Sequence, residues 1–143
     1  MPIVGLNFEK ITAEKTSTIS GEVQVKNNVR IKDVKTENIA IKKSDETLKF
    51  SFEYAVNYEP NLGNITLEGH VLYVEDPKKI KEILAAWKKD KKITPGVMQS
   101  IMNHIIVKCS IKALTLSQET NLPPHLPLPT LREEGKRPED YIG

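Results

Sequence analysis

The 143-residue sequence has the length of one domain with one core. A hydrophobic share of 38% beside 28% charged residues is that of an ordinary globular protein, and a formal charge of +2 is too small to mark nucleic acid or a membrane surface as its partner. The lone cysteine, Cys109, excludes an internal disulfide, and the opening MPIVGLNFEK lacks the basic region and apolar run of a signal peptide. The expectation is a cytoplasmic protein.

The first half reads as strands. Leu6 and Phe8, then Ile11 and Ala13, form two alternating runs whose phase slips by one residue, as a β-bulge in a long first strand would produce. Val23 and Val25, then Asn27-Asn28, then Val29 and Ile31 predict a hairpin, because asparagine tolerates the positive φ of tight turns. Ile39 and Ile41 predict a short extended piece, closed by a polar turn over Lys42–Thr47.

The clearest strand is Leu48–Tyr58. Leu48, Phe50, Phe52, Tyr54, Val56 and Tyr58 alternate with Lys49, Ser51, Glu53, Ala55 and Asn57, so one face is buried and the other solvated. A turn cluster over 59–64 leads into Ile65–Val74, which alternates in the same way. Leu72 and Val74 make its second face apolar towards the end, where a partner subunit or a ligand would cover it.

Asp76-Pro77 then opens a helix, with an N-cap followed by the first-turn proline. Ile80, Ile83, Leu84 and Trp87 give it one narrow apolar stripe. The flanking lysines, from Lys78 to Lys92, form a solvated face; a nucleic-acid surface would add arginine and exposed aromatics for stacking. Thr94-Pro95 opens a second helix by the same logic, running to Ser117 and about 36 Å long at 1.5 Å per residue. Val97, Met98, Ile101, Met102, Ile105, Ile106 and Cys109 make it apolar around most of its girth. Gln99, Ser100, Asn103, His104 and Lys108 argue against a membrane span. Such a helix must be covered on two sides, by its own sheet and by a second subunit, with Ile101, Ile105 and Cys109 expected at the subunit interface.

After Ser117 the composition shifts. Prolines 123, 124, 127 and 129 exclude both helix and sheet interior, while Leu122, Leu126, Leu128 and Leu131 predict that the stretch docks as an extended strap. One domain is therefore expected over residues 1–131, and a flexible tail over 132–143. His70, His104 and His125 lie on a strand, a helix and the strap, none with a second ligand at metal spacing; Cys109 has no base beside it. The expectation is a protein without metal, cofactor or catalytic centre.

This order of elements resembles the SecB export-chaperone family: a bulged first strand, further antiparallel strands, a short helix, a long apolar helix and a Pro/Leu segment. Members carry a phrase of the form Pro-x-Leu-x-Leu-x-Pro after the long helix. Pro124-His125-Leu126-Pro127-Leu128 matches its first five places, with Pro129 one residue early and Thr130 where the last proline would stand. Phe8 precedes Ile11 by three, as an aromatic precedes an isoleucine in the family's opening.

The resemblance implies an α+β fold: a four-stranded antiparallel sheet with a short helix and one long helix packed on one side. It also implies self-association as a dimer or dimer of dimers, and ATP-independent binding of apolar segments of unfolded polypeptide. Leu72, Met98, Met102, Leu126 and Leu128 are the residues expected to offer adaptable apolar surface for this. Export members are acidic and dock the translocation motor through a carboxylate-rich sheet face; this chain, at +2, departs from that pattern. The alternative is a structural or assembly homo-oligomer that consumes its own apolar surface and holds no client.

Overall fold

The computed structural model describes residues 3–18, 21–37 and 45–129. The expectations for Ile39 and Ile41, for residues 42–44, for Leu131 and for the tail 132–143 lie outside them. Four long strands, β1 (Ile3–Lys15), β2 (Gln24–Glu37), β3 (Glu46–Glu59) and β4 (Gly63–Glu75), precede helices α1 (Pro77–Asp90) and α2 (Pro95–Thr120). The strands form one antiparallel sheet in the order β1-β4-β3-β2. The aromatic-rich β3 is thus central, and β1 and β2 are the two edges.

The alternation in β3 has the expected consequence. Leu48, Phe50, Phe52, Tyr54, Val56 and Tyr58 are all buried, and with Ile65, Leu67, Val71 and Tyr73 of β4 they floor the core. Phe8 meets Phe52, and Phe50 meets Tyr73, in edge-to-face pairs with centroids 6.4 and 5.9 Å apart. The phase slip in β1 is a real irregularity: its register against β4 shifts between Phe8 and Lys10, and again between Ile3 and Gly5. Leu72 and Val74 fall on the face away from the helices, half-buried beside Lys49 and Thr47 of β3.

The hairpin expected at Asn27-Asn28 is absent. Both asparagines lie inside the continuous strand β2, opposite Val56 and Ala55. Asn27 is on the core face and yet exposed, because β2 is an edge that the helices do not cover at that level. A locally polar edge strand and a turn have the same composition.

Asp76 caps α1, its side chain accepting from the Lys79 N–H at 3.1 Å, and Ile80, Ile83 and Trp87 seat that helix on the core. Lys91, in the left-handed conformation with φ 59°, closes it, with its ammonium 5.1 Å from the Trp87 ring centroid. Thr94 stands at the N-cap of α2 but makes no side-chain capping bond. The helix runs on past Ser117 to Thr120. Asn121 (φ 58°) then turns the chain in the left-handed region, and the Leu122 N–H bonds back to the Ser117 carbonyl at 2.9 Å.

The buried row of α2 is Ile101, Ile105, Cys109, Ala113 and Ser117, a run of four-residue steps laid on the sheet. This corrects the interface expectation for Ile101, Ile105 and Cys109. All three are fully enclosed by their own chain and offer nothing to a partner.

Candidate functional site

Two apolar surfaces remain on the helix side of the sheet. The first is on α2. Val107 and Ile111, one turn apart, are 57% and 61% exposed, and Ile106 flanks them. Val107 also lines an open depression of about 350 Å³ with Ile3, Ser100, Asn103 and His104, which joins this face to the start of β1. Edge strand β1 adds the exposed Ile11, opposite Leu67 on the same face. Pattern alone could not separate these residues from the buried ones, because α2 is apolar on both sides. The rotation of the helix about its axis is set by its contact with the sheet.

The second surface surrounds the strap. Leu122 is buried against Gly63, where a Cβ would touch its methyl groups at 3.0 and 3.2 Å. The Tyr58 hydroxyl donates to the Pro123 carbonyl at 2.6 Å, which ties the strap to β3. His125 is buried with its ring edge-on to Tyr54, centroids 6.1 Å apart at 88°. Leu126 is half-buried, and Leu128, at 51%, stands out from the chain. Beside the strap, Val25 and Val29 of β2 pair with Tyr58 and Tyr54 and are half-buried.

The residues expected to bind polypeptide do not form one groove. Leu126 and Leu128 share the strap. Met98 and Met102 share one side of the first turns of α2 and are half-buried, Met98 against the core. Leu72 lies on the opposite face of the sheet and belongs with neither pair.

That opposite face is electrostatically paired. Lys26 meets Glu59 at 3.2 Å, Arg30 meets Glu53 at 3.3 Å, Lys32 meets Glu68 at 2.5 Å, and Glu9 lies between His70 and Lys49. The hydrogen bond from His70 holds the Glu9 carboxyl below its ordinary range, and that from Lys32 does the same for Glu68. Each of these carboxylates has a cationic neighbour, so among the described residues this face presents mixed charge. Glu68 reaches it from β4, and Glu9 from β1, whose place beside β4 no local pattern reveals. Among the described residues no three His, Cys, Asp or Glu side chains gather as a metal site, and no helix is long and apolar enough to cross a membrane.

No family model and no curated protein matches the sequence. Among solved structures, the chain is similar over nearly its whole length to the SecB-like chaperone Rv1957 of Mycobacterium tuberculosis, in complex with a ChAD peptide from the Rv1956 HigA1 antitoxin. The match has a TM-score of 0.57 and 13% identity, and covers 91% of this chain and 88% of that one. The fold is SecB-like. The four-stranded sheet and the two helices stand as the resemblance in the sequence implied. At this identity the likeness is one of architecture, and activity has to be argued from the chain's own surfaces.

Proposed function

We propose that this protein binds apolar segments of non-native polypeptides without nucleotide or metal, as a self-associating chaperone of the SecB-like type. The observation that carries the reading is the division of exposed apolar residues between two places. Ile106, Val107 and Ile111 suit a flat contact with a second copy. Leu128 stands apart from them on the strap with Leu126. An extended client laid there would also find the free edge of β2, whose backbone groups can pair with it. The peptide held by the Mycobacterium neighbour supports the general reading.

The alternative, an assembly protein with no client, draws on the same α2 face but leaves Leu128 unexplained. The test is suppression of aggregation of an unfolded polypeptide at near-stoichiometric ratio. Protection arises because a surface that binds the unfolded state lowers its free concentration. It is expected to persist in moderate salt, since apolar burial at roughly 25 cal/mol per Å² supplies the affinity. Replacing Leu126 and Leu128 by serine should weaken it while the oligomer stays intact. No protection by the wild-type chain would leave only the assembly reading.

A further inference from the structure

His125 is the one strap residue whose seat contradicts its chemistry. It is 5% exposed, and neither Nδ1 nor Nε2 reaches solvent or meets a hydrogen-bond partner among the described residues. A neutral imidazole there forgoes bonds that water would give it, and an imidazolium would be a buried, unpaired charge. Among the described residues the groups around it offer no counter-charge. Tyr54 faces it from β3 with Tyr58 beyond; Ser110 of α2 meets the Tyr54 hydroxyl at 3.4 Å, and Cys109 lies beside Ser110. Burial keeps the protons on Tyr54, Tyr58 and Cys109, and residues 121–129 carry no other titratable group. Among the described residues no charged side chain acts on His125, and burial lowers its basicity.

The anchors around the ring are few: the Leu122 side chain, the Tyr58–Pro123 hydrogen bond and the contact with Tyr54. Beneath them Tyr54 and Tyr58 stand in register with Val29 and Val25, and Val56 with Asn27 between them, so lifting the strap would expose two apolar pairs at the β2 edge with one asparagine between them. We propose that the strap is an acid-released cover: protonation of His125 expels it from its seat on Tyr54 and opens the Tyr54–Tyr58 strip to an extended apolar polypeptide. The release stands on the geometry of the strap; use of the opened strip rests on the function proposed above. The docked strap holds the ring neutral. Its stability is therefore complete above the ordinary histidine value of about 6.5 and declines as the pH falls below it.

The experiment uses the full chain. The His125 imidazole resonance and the Tyr54 and Tyr58 ring resonances are followed by NMR from about pH 8 to about pH 4.5, a range bracketing the free imidazole value. Apolar-dye fluorescence is recorded in parallel for the wild type and His125→Phe, with far-UV circular dichroism as the check on the sheet. The switch predicts a severalfold dye increase on acidification of the wild type, constant dichroism, and a flat response in His125→Phe. Equal increases in both proteins, or none in the wild type, would overturn it. Should His125→Phe fail to fold, the wild-type resonances decide. Titration of His125 below the free value together with movement of the Tyr54 and Tyr58 signals upholds the switch; titration at the free value with those signals unmoved defeats it. A fluorescent, reduced and carboxymethylated polypeptide is then added at both ends of the pH range. Strap release without polypeptide binding keeps the cover and removes its occupant, and equal binding at both ends without release removes the cover alone.

Discussion

A methyl group on Gly69 would run into the carbonyl of Asn7, because β1 bulges past Phe8 directly across the ladder. The position is governed by the approach of one backbone to another, and no side-chain preference announces it. Gly69→Ala should therefore cost at least the ~1–3 kcal/mol of an overpacked site, read as a lower urea midpoint. Gly5→Ala, with open space around the new methyl, should stay within about 0.5 kcal/mol. Cys109 makes a second case at this scale. Burial pushes its thiol up to about 12, so the native protein should resist alkylation at mildly alkaline pH and react promptly once unfolded in urea. Rapid native labelling would mean that α2 leaves the sheet easily. The same burial raises Tyr54, Tyr58 and Tyr73. For an acid whose folded value is raised, the unfolded state gives up its proton first. Stability is thus full below the ordinary thiol and phenol values, and falls as the pH climbs through them, from about 8.5 through about 10, towards 12.

At the scale of elements, α1 depends on its ends. It is short, and its buried stripe is only three residues wide, so the Asp76 cap carries a larger share of its stability than in a longer helix. Asp76→Ala should cost about 0.5–2 kcal/mol, seen as a lower melting temperature; no change would mean that core packing alone holds the helix. Asp76-Pro77 and the alternation in β3 and β4 were legible because their causes are local, a cap bond three residues away and a period of two. The hairpin at Asn27-Asn28 was misread because the exposure of those residues comes from what fails to cover β2. The inward face of α2 and the seat of His125 were beyond local reasoning for a related cause. Ile105 and Val107 are both apolar and two residues apart, and only the sheet decides that the first is buried and the second exposed. His125 meets Tyr54 across about half of the chain, through a strap in which, among the described residues, only Leu122 and His125 are deeply buried.

Among the described residues the molecule has two open strand edges and one open apolar helix face, and the self-association proposed above is placed on the helix face. A long helix with one side sealed against the sheet and Ile106, Val107 and Ile111 exposed on the other would supply half of the proposed layered contact. In a symmetric pair each of these residues would meet the same patch on the second copy, so one substitution acts twice. Val107→Glu with Ile111→Glu should shift the sedimenting species from an oligomer to a monomer. The fold should survive, because both side chains are already more than half exposed in the single chain. Ile105→Glu should behave differently. It would place an unpaired charge inside the chain's own core at a cost of several kcal/mol, and the expected product is unfolded or aggregated protein. Circular dichroism distinguishes the two results, and light scattering at micromolar concentration reports the mass. A wild-type chain that sediments as a monomer would sink the proposed contact. A Val107→Glu/Ile111→Glu protein that keeps the wild-type mass would move it off α2, leaving the β1 edge with Ile11 as the surface to alter next.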